Sequence, residues 1–188
     1  MKPFRSFIPP LAVMLLAASG GSSAQGVLID KSEIRFVSKQ LGVNVEGRFR
    51  KWKANVDFRP RDLARSKTEF EIELASIELA SEESESELKR PTWFDTAKYP
   101  VARFASTSVK GLGGDRYEIL GRLSLKGVTR EVAVPVALRK DGAGNTLAEG
   151  QFTLKRLEFR IGEGMWADTE TVADDVLIRL RMVLPPVS

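Results

Sequence analysis

Neither histidine nor cysteine occurs in the 188 residues of this chain, and the two gaps remove whole classes of chemistry. The chain alone cannot assemble a Ser-His-Asp or Cys-His nucleophile pair, a His-ligated zinc site, a covalently attached haem or a thiol redox couple. An exported domain without cysteine must hold together by packing rather than by disulfides. An excess of charge of one sign is missing too, since 29 Lys and Arg stand against 25 Asp and Glu. Setting aside Lys2 and Arg5, which belong to a leading segment, the net charge falls to about +2, which implies no nucleic acid partner.

Long apolar runs are equally scarce. The one that occurs, Phe7 to Ala18, follows Lys2 and Arg5 and precedes small residues ending Ser22-Ser23-Ala24. A basic start, a hydrophobic core and a small-x-small site describe a cleavable export signal over residues 1–24. The run is short for a bilayer span, and Pro9 and Pro10 weaken a helix there. No cysteine follows it, which excludes a lipid-modified amino terminus of the bacterial lipoprotein kind. The expectation is a periplasmic protein in which residues 25–188 form one domain with a real core.

What is abundant is alternation. Tyr117, Ile119, Gly121, Leu123 and Leu125 face one way along an extended chain while Glu118, Arg122, Ser124 and Lys126 face the other. Gly127 permits a tight reversal, and Val132, Val134, Val136 and Leu138 then alternate with Glu131, Ala133, Pro135 and Arg139. This is an amphipathic antiparallel hairpin. Pro135 has no amide hydrogen and belongs where its nitrogen has no paired neighbour.

Further strands are read on both sides of it. Ile34 and Phe36 mark one from Ser32 to Ser38. In the next, Val43, Val45, Gly47 and Phe49 are odd, but beyond Arg50-Lys51 the apolar positions become Trp52, Ala54, Val56 and Phe58. A one-residue bulge at Arg50-Lys51 would return both halves to the same interior. Thr68, Phe70, Ile72 and Leu74 form a third inward face. Ala102, Phe104, Ser106 and Ser108 share a side of the strand Val101 to Val109. In the seventh strand Ala148, Gly150, Phe152 and Leu154 give way to Leu157, Phe159 and Ile161, so a second bulge is expected near Lys155 and Arg156. Val176 to Leu184 makes the eighth. Between the third and fourth strands, Ser81 to Arg90 reads as a short solvated helix capped by Ser81, its acidic first turn matching the helix dipole. Its cluster Glu82, Glu83, Glu85 and Glu87 is read as a solvated face rather than a metal or catalytic site.

Eight amphipathic antiparallel strands in up-and-down order predict an all-β, eight-stranded barrel with one short helix, because closure removes exposed sheet edges. A barrel of this size is either filled by side chains or holds one small ligand. A two-sheet sandwich is the alternative, but no Greek-key signal supports it.

The chain also resembles the YceI-like proteins. The residues that carry the resemblance are Phe36-Val37-Ser38-Lys39-Gln40-Leu41-Gly42, Gly47-Arg48-Phe49, Trp93-Phe94-Asp95, Pro100 with Phe104-Ala105-Ser106-Thr107, Gly121 to Thr129, and Lys155-Arg156 before Phe159-Arg160-Ile161-Gly162. Leu123 to Thr129 is the most specific part, and the likeness spans about residues 27 to 184. It implies an exported lipocalin-like barrel that holds a polyisoprenoid or similar long amphiphile, such as an isoprenoid quinone, with no other cofactor. Many members carry His where this chain has Gln40, so any role of that side chain is missing here. The Lys-Gln variant resembles a subgroup for which a membrane cytochrome of the b561 type has been suggested as a neighbour, and a homodimer is a further expectation.

Three functions follow as expectations. The first is a non-enzymatic lipid carrier whose wall includes Phe36, Phe49, Phe70, Phe104, Phe152 and Phe159, with Trp93, Phe94 and Trp166 at an entrance and Lys39 and Arg156 as head-group candidates. Its driving force is burial, about 0.8 kcal/mol per CH₂. The second is an enzyme using Glu163, Asp168, Asp174 or Asp175 around Trp166 as acid and base. The third is an interaction module that modulates a membrane partner without a stored ligand.

Overall fold

The structure, a computed structural model, describes residues 25–186. The expected export signal lies outside the described residues. Eleven strands form a single antiparallel sheet. They are β1 (Gln25–Gly26), β2 (Glu33–Gln40), β3 (Val43–Phe49), β4 (Trp52–Asp57), β5 (Lys67–Glu73), β6 (Ile77–Glu78), β7 (Val101–Gly113), β8 (Arg116–Leu125), β9 (Val128–Lys140), β10 (Thr146–Lys155) and β11 (Asp175–Leu184), and one helix, α1, spans Glu82–Leu88.

The hydrogen-bonded order runs β1, β4, β5, β7, β8, β9, β10, β11, β2, β3, β6. The strands β3 and β4 are one continuous run of chain broken at Arg50 and Lys51, and β5 and β6 are one run broken at residues 74–76. Each broken run has one half at either extremity of the order. The sheet therefore curls until its two ends meet in the same kinked ribbon, and counting each broken run once and setting aside the two-residue β1 gives the expected eight-stranded, lipocalin-like barrel.

The change of phase at Arg50-Lys51 is real, but its form is larger than a one-residue bulge. The ladder stops at Phe49↔Ile77 and resumes at Trp52↔Ile72, so Arg50 and Lys51 stand opposite Glu73, Leu74, Ala75 and Ser76. Lost ladder bonds are replaced locally. Arg50 N donates to Ser76 O at 3.1 Å and Glu73 N to Lys51 O at 3.0 Å, while Lys51 N donates to Ser76 Oγ at 3.0 Å.

At the second phase change the expected strand gives way to a different element. β10 ends at Lys155, and Arg156–Phe159 winds into a 3-10 turn that Arg160, at φ +59°, ends in the left-handed region. Leu157, Phe159 and Ile161 thus alternate without being extended. A third change of phase, hidden in the sequence, lies in β7. The pairs Ser106↔Gly121 and Ser108↔Leu120 leave Thr107 as an extra residue, and Val109 rather than Ser108 continues the inner face, 8 % exposed. Serine at both 106 and 108 carries no hydrophobic signal that would have revealed the bulge.

The central hairpin is as expected. Lys126 and Gly127, at φ +49° and +75°, form the two-residue turn whose twist suits an antiparallel pair. Pro135 sits where the β9–β10 ladder ends, one residue past the pair Gly150↔Val136, so its missing amide hydrogen costs no bond there. Beyond that point β9 and β10 diverge, and the wedge receives the 156–159 turn with Phe159 only 2 % exposed. Ser81 caps α1 by accepting from Ser84 N at 3.4 Å.

Candidate functional site

A cavity of about 340 Å³ runs inside the barrel, and every long strand contributes to its wall. Along β8 it touches Tyr117, Ile119, Leu123 and Leu125, about 27 Å of strand at ~3.4 Å per residue. With strands tilted as barrels require, that is about 20 Å of axis, so the bore averages roughly 17 Å² and suits one extended hydrocarbon chain.

Inward glycines shape this bore. An added Cβ at Gly47 would stand 2.3 Å from Phe36 Cζ, and one at Gly121 would stand 2.4 Å from Phe104 Cζ. The tips of the two rings occupy the space that a side chain at each glycine would fill. Two ring series follow: Phe94, Phe49 and Phe36 with centroid spacings of 6.3 and 5.8 Å, and Trp52, Phe70 and Phe104 at 6.3 Å each.

The two ends differ. At one, the wall is Val56, Val109, Leu138 and Leu184, with Phe58 and Tyr117 edge-on at 5.1 Å. At the other, Ser38, Gln40 and Val45 of the β2–β3 hairpin approach Ser84, Glu87 and Leu88 of α1 across the cavity. There β3 pairs with β6 only at Arg48 and Phe49, so the ladder on that side leaves Val43–Gly47 without a strand neighbour. Leu41, Val43 and Met165 are exposed at this same end, at 73, 67 and 83 %.

Trp93, Phe94 and Trp166 also gather there and line the cavity. Trp93 and Trp166 pack at 5.5 Å, and the Arg156 guanidinium lies 5.8 Å from the Trp93 ring centroid, within cation–π range. Arg156 is 1 % exposed. Its Nε donates to Ala173 O at 3.0 Å, its Nη1 to Ile161 O and Gly162 O at 2.9 Å, and its Nη2 to Trp166 O and Val172 O at 2.7 Å. A guanidinium has five N–H groups, and all are used on backbone carbonyls. Burial lowers its pKa from the ordinary arginine value, with the Asp174 charge acting the other way. Gly162, at φ +74°, is required here because a Cβ would meet Arg156 Nη1 at 2.4 Å.

The Leu123 to Thr129 segment owes its character to the same end. Lys126, 6 % exposed, reaches across to donate to Arg160 O and, at 3.3 Å, to Glu163, tying the central hairpin to the 156–174 loop. Its neighbour Gly127 lies under the Tyr99 ring, which a Cβ would meet at 2.8 Å.

Of the residues expected to face a ligand, Phe36, Phe49, Phe70, Phe104, Phe152, Trp93, Phe94 and Trp166 do line the cavity. Phe159 does not; it is packed in the core cluster with Leu74, Trp93 and Leu154. Lys39 is exposed and away from the wall, and its carbonyl accepts from Ala173 N at 2.9 Å. Arg156 reaches the cavity with no N–H left over. Sequence parity held the clue to its burial, since Arg156 continues the inward series of Phe152 and Leu154. The wall residues Phe58, Val109 and Tyr117 complete the far end, where the hidden bulge in β7 obscured Val109.

The four carboxylates offered for acid and base chemistry are each engaged separately. Glu163 pairs with Arg160 at 3.0 Å, which holds its carboxyl below the usual range, with Lys126 adding to the effect. Asp168 accepts from Thr171 Oγ1 at 2.7 Å, Asp174 from Leu157 N at 2.9 Å, and Asp175 pairs with Lys155. Among the described residues no three carboxylates converge to hold a metal ion.

An up-and-down antiparallel barrel around one long apolar bore defines the lipocalin-like class. Residues 27–184 match the YceI-like domain, and the chain belongs to that family. It is 30% identical over 162 residues to protein YceI of Escherichia coli O157:H7, covering 80% of this chain and 84% of that one. A UPF0312 protein of Azotobacter vinelandii is 29% identical over 178 residues, 89% of this chain and 92% of its own. The crystal structure of Burkholderia cenocepacia BcnA superposes with a TM-score of 0.80 at 36% identity, over 84% of this chain and 98% of that one. A polyisoprenoid binding domain from Saccharophagus degradans shares the fold, with a TM-score of 0.70 at 16% identity over 87% and 99% of the two chains.

Proposed function

We propose that this protein binds a long-chain polyisoprenoid lipid, such as an isoprenoid quinone, inside its barrel and carries or sequesters it in the periplasm without chemical change. The observation that carries this reading is the bore itself, continuous, almost wholly apolar and one chain wide. At about 0.8 kcal/mol per buried CH₂, two isoprene units enclosed in such a tube supply several kcal/mol, and no catalytic group is needed. The fold shared with a domain described as polyisoprenoid binding favours the same ligand class. Export rests on the signal-like residues 1–24, and an amino-terminal sequence of the envelope protein beginning at Gln25 is the expected result. The b561-type cytochrome and the homodimer stay outside this reading, which requires neither.

The test is native mass spectrometry of the protein purified from its own cell envelope, followed by organic extraction. A bound species in the mass range of a prenyl quinone or polyprenyl lipid is expected. A clean apo mass that takes up no added prenyl lipid overturns the carrier reading and favours an interaction module, for which exposed Leu41, Val43 and Met165 offer an apolar contact.

A further inference from the structure

The three most exposed large apolar side chains among the described residues stand at one end of the bore: Met165 at 83 %, Leu41 at 73 % and Val43 at 67 %. Leu41 and Gly42, at φ +49° and +80°, form the two-residue turn between β2 and β3. Asn, Asp or Gly is the usual occupant of such a left-handed position, and a leucine there is strained. Four non-glycine residues take this backbone among those described, and Leu41 is the only apolar one. Lys126, at the same place in the β8–β9 turn, uses its side chain inside the protein, bonded to Arg160 O and Glu163. Leu41 meets water instead, so its backbone strain and its exposed hydrocarbon both go uncompensated within the described chain.

The apolar tips are held firmly from beneath. Leu41 N donates to Thr171 O and Ala173 N to Lys39 O, each at 2.9 Å, and Gln40 bridges to Val172, so the hairpin tip is laced to the loop that carries Met165. Arg156 in turn grips Trp166 O, Val172 O and Ala173 O. Trp166, next to Met165, lines the cavity, as does Val45, two residues from Val43. The apolar wall of the bore therefore runs out to the exposed tips, and a lipid crossing between the two stays in apolar surroundings. Charge around them is mixed: Lys39 stands against Asp168 and Glu170, and Arg160 is paired with Glu163. Across the mouth, α1 adds Glu82, Glu83 and Glu85. No basic cluster is present to draw anionic head groups, which leaves burial of hydrocarbon as the driving force.

We propose that Leu41, Val43 and Met165 insert into the surface of a lipid bilayer and seat the mouth of the barrel against it, so that the ligand passes directly between membrane and bore. This role rests on the carrier reading, which gives the mouth a reason to face lipid.

The experiment is flotation of the protein purified from its cell envelope with vesicles of phosphatidylcholine, alone or in equal mixture with phosphatidylglycerol. Both should bind it, the neutral vesicles at least as well, and high salt should not release it. L41N combined with M165Q should weaken binding about a hundredfold, through the loss of two buried apolar side chains. Asn suits a left-handed backbone, so L41N alone should raise Tm by about 2 °C while weakening binding about tenfold. The chain has no cysteine, so an environment-sensitive dye on T169C or L112C reports which end docks. Emission should shift to the blue with vesicles at T169C, in the loop that carries Met165, and stay unchanged at L112C, at the opposite end of the barrel. Failure to bind either vesicle, binding that requires phosphatidylglycerol, undiminished binding by the double variant, or a shift at L112C overturns the inference. Uptake of a prenyl lipid from detergent without vesicle binding overturns docking and leaves the carrier reading intact, whereas vesicle binding without uptake overturns the carrier reading.

Discussion

The chain carries the same signal twice, a basic pair set between apolar runs of opposite phase, and uses it in opposite ways. At Arg50-Lys51 both side chains go to water. Arg50 is 65 % exposed and, with Arg48, brackets Glu78, while Lys51 pairs with Glu73 at 3.6 Å. At Lys155-Arg156 only Lys155 stays outside, pairing with Asp175, and Arg156 turns inward to hold five carbonyls. The first break bends the ribbon that closes the barrel. The second stops a strand and gathers the 156–174 loop over one end of the bore. Neighbouring geometry makes the difference: the first break lies opposite residues 73–76 of an adjacent run, which replace its lost backbone bonds, whereas the second opens a wedge between β9 and β10 that something must fill.

If that contrast is sound, removing the buried guanidinium should be the most damaging change at either break. R156A leaves five carbonyls without a donor, those of Ile161, Gly162 and Val172 buried and those of Trp166 and Ala173 half-buried, and about 4 kcal/mol of stability should be lost. For a domain of this size that is a fall of roughly 10 °C in Tm by calorimetry; a fall of only a degree or two would show that the clamp is incidental. R156K should recover little, because one ammonium cannot span the same fork of carbonyls.

G162A comes next, since it strains a residue at φ +74° and puts a Cβ 2.4 Å from Arg156 Nη1. A loss of about 2 kcal/mol is expected, together with a change in Trp fluorescence as Trp93 and Trp166 shift. In the bore, G47A should displace the Phe36 ring, which its Cβ would meet at 2.3 Å, and weaken prenyl lipid binding about tenfold, by loss of one or two buried CH₂ equivalents. Unchanged affinity would mean that the ring has room to move elsewhere.

The smallest effects belong to the exposed break. R50A should leave the neutral-pH Tm nearly unchanged, and its small shift should disappear in high salt. The same network predicts a pH dependence. Hydrogen bonds from Arg50 and then Arg48 hold the Glu78 carboxyl down to about 2 from an ordinary 4.5. A carboxyl lowered in the folded state stabilises above its unfolded value and loses that contribution as pH falls through its folded one. The Tm difference between wild type and E78Q should therefore be present at neutral pH, shrink below about pH 4.5 and vanish near pH 2. A difference that persists at pH 2 would separate Glu78 from the ion pairs.

The particular residues also show where sequence reading stops. The alternation of Tyr117 to Leu125 with Val132 to Leu138 fixed the hairpin, its turn and its inner face. The parity change at Phe49 and Trp52 announced the break in the second run. The bulge at Thr107 was invisible, because the serines on either side of it are tolerated on both faces. Phe159 alternated correctly with Leu157 and Ile161, yet a 3-10 turn carried it into the core.

Sequence by itself determined most of the strands and of their inward faces, the short capped helix, the order of the barrel and the classes of chemistry excluded by missing histidine and cysteine. These are properties of side-chain period and residue type, which act over a few residues. Only the tertiary structure decided that the barrel keeps an open bore and that Arg156 is spent on carbonyls from residues 161–173. Volume and hydrogen-bond satisfaction depend on atoms brought together from distant parts of the chain, so no local pattern encodes them.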